Sequence, residues 1–104
     1  MPLIVLPDQI QFKLLDPNPK RKRLLIQMRS SIVDANNTGN IKIGYNFQPN
    51  TADTNPTTGE MLTQGAYVDK NEKLGTMPPA GKGQIWLYAS AASQSIDYEE
   101  AASD

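Results

Sequence analysis

The stretch IKIGYNFQ, residues 41–48, decides the fold. Ile41, Ile43, Tyr45 and Phe47 alternate with Lys42, Gly44, Asn46 and Gln48. A period of two sends one set of side chains to a core and the other to water, as in a half-buried β-strand. The same alternation recurs in QIQFKLL (9–15), through Ile10, Phe12 and Leu14, and in SIDYEE (95–100), through Ile96 and Tyr98. RLLIQMRSSIV (23–33) sets Leu24, Ile26 and Met28 against Gln27 and Arg29, with Leu25 out of phase. GQIWLYAS (83–90) is apolar on both faces, with Ile85, Leu87 and Ala89 on one and Trp86 and Tyr88 on the other. That pattern belongs to a central strand, or to a strand with a second buried contact. No segment sustains a 3.6-residue period.

The intervening segments are turn formers. They are DPNPK (16–20), DANNTGN (34–40), the long polar stretch 49–59, MPPAGKG (77–83) and SAAS (90–93). DANNTGN reads as a hairpin-type connection in which Gly39 can take a positive φ. Strands are expected near 3–6, 9–15, 23–33, 41–48, 60–69, 84–90 and 95–100. Short strands spaced this way, with turns between, predict an all-β antiparallel sandwich, jelly-roll-like or Ig-like, with no substantial helix. Pro2 and Pro7 bracket the first strand, which makes residues 1–8 an N-terminal arm or short edge strand. The 104 residues fit one domain, 1–104, with room for one core.

Composition narrows the function. The chain has no Cys and no His. Thiolate metal sites and disulfides are therefore excluded, and so is the side chain that titrates most readily near neutral pH. An enzyme of this length would have to rely on carboxylates, Lys, Ser or Tyr. The expectation is a non-enzymatic protein without catalytic, cofactor-binding or metal-ligating residues. No apolar run approaches the ~20 residues of a membrane-spanning helix. Leu3–Leu6 is too short for a signal-peptide core and lacks a preceding cationic region, so a protein made and used without export is expected.

The run PKRKR (19–23) places Lys20, Arg21, Lys22 and Arg23 at the head of a strand. Such a cluster can grip phosphates, contact an acidic protein surface or be a solvated strand entrance. The net charge is −1, and a nucleic-acid binder usually shows a basic domain as well as a basic patch. No nucleic acid is therefore expected as a partner. On this reading, replacing Lys20, Arg21 and Lys22 with Ala leaves the fold intact.

Three further groups carry possible chemistry. Asp97, Glu99 and Glu100 lack the cleft that a carboxylate pair needs and read as a solvated face. Gly81 and Gly83 in AGKGQ imitate a phosphate loop, but Gln84 and a strand follow where Ser or Thr and a helix are required. The aromatics Tyr45, Phe47, Tyr67, Trp86, Tyr88 and Tyr98 can serve as core or as a stacking platform. Trp86 and Tyr88, opposite the core-facing Ile85 and Leu87, would form that platform for a glycan, or a subunit interface.

Several of these features fall in a fixed order. RLLIQMRSS leads through a polar turn to IKIGYNF. Gly59, Leu62 and Gly65 follow in GEMLTQG, and then GQIWLYASAASQSIDYEE. Across about residues 21–100 this order resembles the small β-sandwich virion proteins of tailed bacteriophages. Arg29 and Ser30 stand where such segments often carry Asn, and the 49–59 loop is longer than a minimal version needs. The resemblance implies a capsid decoration (cement) protein, with a head–tail connector or fibre-associated module as the alternative. It implies the virion surface as location, after synthesis in the host cytoplasm. Its partners would be the major capsid protein and copies of itself in a homo-oligomer, with no membrane. The residues expected at that interface are Leu3, Ile4 and Val5 of the arm (residues 2–6), Lys20, Arg21 and Lys22, Trp86 and Tyr88, and the 49–59 loop.

Overall fold

A computed structural model describes residues 3–102. Pro2, included in the expected contact arm, lies outside the described residues. Eight strands form two four-stranded antiparallel sheets. They are β1 (Leu3–Val5), β2 (Phe12–Leu15), β3 (Arg21–Gln27), β4 (Ile41–Tyr45), β5 (Glu60–Leu62), β6 (Tyr67–Asn71), β7 (Ile85–Ala89) and β8 (Ser95–Ala102). The strand orders are β1-β8-β3-β6 and β2-β7-β4-β5. The chain is thus one long hairpin rolled on itself. β4 pairs with β5 at its tip, and then β3 with β6, β2 with β7 and β1 with β8. Every connection except β4–β5 crosses from one sheet to the other, which is the winding of a jelly roll. The helical content among the described residues is three single 3-10 turns, at Pro56–Thr58, Glu72–Leu74 and Pro79–Lys82.

The period-two pattern places the core. Leu24, Ile26, Met28 and Ile96 from one sheet meet Ile41, Ile43, Leu62, Ile85, Leu87 and Ala89 from the other. All are essentially fully buried. Burying such a side chain contributes about 1.5–3 kcal/mol each, enough to set the face of every long strand. Phe12, Leu14, Tyr45 and Tyr98 pack at the margin of this core.

Four expectations are corrected. The strand expected over 60–69 is two, β5 and β6, because Gly65 at φ 77° turns the chain from one sheet to the other. The strand expected over 23–33 runs from Arg21 to Gln27 and then leaves the ladder. Ile32 and Val33 are exposed in the turn beyond it, Ile32 at 95%. The segment 34–40 is no hairpin: it joins β3 and β4, which lie in different sheets. Gly39 is needed there for space and not for positive φ, since a Cβ would sit 2.3 Å from Ser90 Oγ.

Side-chain clasps hold the two ends of the roll. At one end Asn37, fully buried, acts as a short strand partner for β8. Its Oδ1 accepts from Ser95 N at 2.8 Å, and its Nδ2 donates to Ser95 O and Arg29 O. Gln94 beside it donates to Asn36 O and accepts from Gly39 N. Asn37→Leu keeps the volume and leaves these buried backbone groups unpaired. It is expected to cost about 1–3 kcal/mol in urea unfolding. The opposite end is held by Arg21.

Candidate functional site

The residues expected at an interface separate into distinct environments. In β1, Leu3 and Val5 point outward and are exposed, whereas Ile4 packs on the core. Val5 pairs in register with Ser95, and Ser95 Oγ donates to Asp34 Oδ2 at 2.6 Å. That bond brings the β3–β4 connection, with exposed Ile32 and Val33, to the same corner as β1. Exposed apolar side chains thus stand on two segments that this bond links through β8, Leu3 and Val5 on β1 and Ile32 and Val33 in the β3–β4 connection.

The cationic run divides sharply. Arg21 is 0% exposed. Its Nε donates to Glu100 Oε2 at 2.6 Å, Nη1 to Gly81 O and Gly83 O at 2.7 and 3.0 Å, and Nη2 to Asp16 O at 2.9 Å. It is not displayed to a partner, and replacing it by Ala would not leave the fold intact. The cause is its position where the β2–β3 and β6–β7 connections meet: their carbonyls point inward and require a planar set of donors. The glycines of AGKGQ therefore serve a guanidinium through their carbonyls, and their N–H groups are used within the local turns. Arg23 lies along the outer face of β3 and makes a two-bond pair with Asp69 at 3.2 and 3.1 Å. The neighbouring carboxylate raises its pKa further. Lys22 is exposed, and Lys20 N donates to Asn18 Oδ1.

Trp86 and Tyr88 point away from the core, as the alternation requires, but neither ring lies open. Both are half-buried on the outer face of the second sheet. Trp86 is flanked in register by Lys13 and Gly44, and its Nε1 donates to Gln84 Oε1 at 3.0 Å. The 49–59 loop folds back beside them. Phe47 O and Pro49 Cδ approach Gly44 so closely that a Cβ there would lie 2.3 and 2.6 Å from them.

Lys42 is the anchor of this loop. It falls on the polar side of the IKIGYNFQ alternation, yet it is 0% exposed. Its Nζ donates to Asp53 O at 2.6 Å, Asn55 O at 2.7 Å and Asp53 Oδ1 at 3.2 Å. Asp53 is held below the ordinary carboxylate value of 3.8, chiefly by the Asn55 backbone N–H and then by Lys42. Asp34 is lowered likewise, first by Ser95 Oγ and then by the Asn36 backbone N–H.

These two shifts have a definite sign. A folded-state pKa below the unfolded one contributes stability that is complete above the unfolded value and is lost as pH falls through the folded value. The melting temperature is expected to hold from neutral pH to about pH 5 and to fall below 3.8. Asp34→Asn with Asp53→Asn should flatten that decline in a calorimetric pH series.

Between the anchored loop, β5 and the edge strand β6 lies a cleft of about 440 Å³. Tyr45, Phe47, Met61 and Pro56 give it apolar walls, with Thr54 and Thr57 at the loop side. Glu60 links the two sheets across its floor. Its Oε1 accepts from Tyr45 OH at 2.7 Å and its Oε2 from Lys70 Nζ at 3.0 Å. Lys70 Nζ also lies 5.7 Å from the Tyr45 ring centroid. Burial, and then the Glu60 carboxylate, push the Tyr45 phenol well above its usual range, so it remains a donor at any physiological pH. Sequence reading named Tyr45 among the aromatics but not Glu60 or Lys70. Glu60 opens the stretch that reads as one strand over 60–69 and Lys70 directly follows it, and only the turn at Gly65 brings them together.

Comparison with protein-family models, with curated proteins and with solved structures finds no match to this chain.

Proposed function

We propose that this jelly roll is a non-enzymatic virion structural protein of a tailed bacteriophage, a capsid decoration protein that cements the icosahedral shell. The observation that carries the reading is the exposure of Leu3 and Val5 on the edge strand β1 and of Ile32 and Val33 in the β3–β4 connection, two segments that both meet Ser95 of β8. Exposed aliphatic side chains on neighbouring segments are the material of a protein contact. The order of sequence features shared with small phage β-sandwich virion proteins supplies the class of partner: the major capsid protein, with further copies of this chain. The mechanism is mechanical. At ~25 cal/mol per Å² of apolar area, a modest contact becomes large when repeated over a shell. Lys22 and Lys73, at the other end of the same sheet, add positive charge for an acidic surface.

The test is sedimentation with expanded shells that lack the protein. It should co-sediment at a copy number comparable with the major capsid protein and raise the shell melting temperature. Val5→Asp with Ile32→Asp should abolish this without unfolding the monomer, and Lys22→Ala should weaken it in a salt-dependent way. Failure to bind shells, or low-copy incorporation confined to the portal, would overturn the decoration reading.

A further inference from the structure

We propose that the cleft beneath the 49–59 loop, between the β4–β5 hairpin and β6, is a binding site for a neutral pyranose ring.

The charge pattern of the cleft decides the ligand class. Its charged groups are internally cancelled: Glu60 by Lys70, and Lys42 by Asp53. An anion entering it would meet the Glu60 carboxylate, and a cation would meet Lys70. Neither would gain net attraction. The pair nonetheless keeps hydrogen-bonding capacity, because a carboxylate can accept about four bonds and an ammonium can donate three. Of these, Glu60 uses one on Tyr45 OH and one on Lys70. What remains is an acceptor and a donor held 3.0 Å apart. The two oxygens of a vicinal diol lie at a similar separation. One hydroxyl can donate to Glu60 while its neighbour accepts from Lys70.

The cleft is also lined by apolar side chains. Phe47 is 42% exposed although the alternation of its strand places it on the core side. The chain leaves the ladder after Tyr45, and Asn46 at φ 64° turns Phe47 out to the cleft. An exposed aromatic ring offers a flat apolar face to the C–H side of a sugar. Thr54 and Thr57 of the loop add hydroxyl oxygens at the rim. The volume, near 440 Å³, lies within the range of small-ligand sites. The loop that forms the rim is fixed by the buried Lys42 and so is shaped before a ligand arrives, which lowers the ordering cost of binding. Trp86 and Tyr88, the platform expected from sequence, are half-covered and lie outside this cleft. The inference stands apart from the shell-binding reading, since it uses none of Leu3, Val5, Ile32 and Val33.

The experiment uses the full chain, ¹⁵N-labelled, titrated with methyl glycosides of glucose, galactose, mannose and N-acetylglucosamine. At least one should give saturation transfer to its ring protons and shift the amides of Phe47, Glu60, Met61 and Lys70. Phe47→Ala and Glu60→Gln should each lower the affinity at least about tenfold. Glu60→Gln keeps an acceptor for Tyr45, so the fold is retained and its spectrum is the control for the Ala variant. Trp86→Phe should leave the affinity unchanged. No saturation transfer from any of the four glycosides, shifts centred on Trp86 and Tyr88, or unaltered affinity in Glu60→Gln would each overturn the proposal.

Discussion

Arg21→Ala is expected to destabilise the protein by about 3–5 kcal/mol, the largest effect of any single exposed-type residue in the chain. The guanidinium is 0% exposed and donates to Asp16 O, Gly81 O, Gly83 O and Glu100 Oε2. Its removal leaves three carbonyls facing a cavity and a carboxylate without its partner. Those carbonyls belong to the β2–β3 and β6–β7 connections, which cross between the sheets at one end of the roll. The end therefore opens as a unit. Arg21→Lys should recover less than half of the loss, because one ammonium cannot span acceptors set around a planar fork. Glu100→Gln should cost far less, since the carboxylate is reached by water and Gln keeps an acceptor oxygen. The decisive comparison is with the next residue: Lys22→Ala is expected to fall within about 0.5 kcal/mol of the parent. Equal urea midpoints for the Arg21 and Lys22 variants would show that the clasp contributes nothing.

Lys42→Met should cost about 2–3 kcal/mol and should do so locally. The buried ammonium satisfies Asp53 O and Asn55 O, the latter shared with Thr58 N and Oγ1. Met fills the same channel with an apolar stem, so the sheet is kept and the loop is lost. Limited proteolysis should then cut within 49–59, while amide exchange in β3 and β7 stays slow. Asp53→Asn is the control: it keeps the backbone carbonyls paired and should leave the loop protected. If Lys42→Met unfolds the whole domain at once, the loop is part of the cooperative core and the local reading fails. Release of the loop should also remove any glycoside binding in the cleft, because Thr54 and Thr57 form its rim.

Much of the fold is legible before any coordinates. Leu24, Ile26 and Met28, like Ile41 and Ile43, and Ile85, Leu87 and Ala89, all face the core as their alternation requires. The short edge strand β1 falls within the 3–6 segment expected ahead of Pro7. The polar positions are harder to read. Lys20, Arg21, Lys22 and Arg23 are equivalent as letters, yet one is buried and another is paired across strands with Asp69. Lys42 occupies a position that alternation assigns to water. A local pattern reports which face a side chain takes and not what later folds over that face.

The candidate site was less legible still. Its parts come from the end of β4, the loop after it, β5, and β6 in the other sheet. The sequence reading placed aromatic recognition on Trp86 and Tyr88, which share a face by period two. It counted Phe47 among the aromatics but set it on the core side, and Phe47 leaves that period when Asn46 takes a left-handed conformation.

The division has one physical reason. Strand type, the facing of the core and the absence of a long helix follow from side-chain periodicity, which is local and needs only the chain's own geometry. Strand order, the burial of Arg21 and Lys42, and the meeting of Glu60 with Tyr45 and Lys70 depend on which segments are brought together by rolling one long hairpin. Hydrogen-bond partners 79, 60 and 62 residues away decide the fate of Arg21. No periodicity encodes that distance; the tertiary structure decides it, because a buried charge persists only where every donor finds its acceptor.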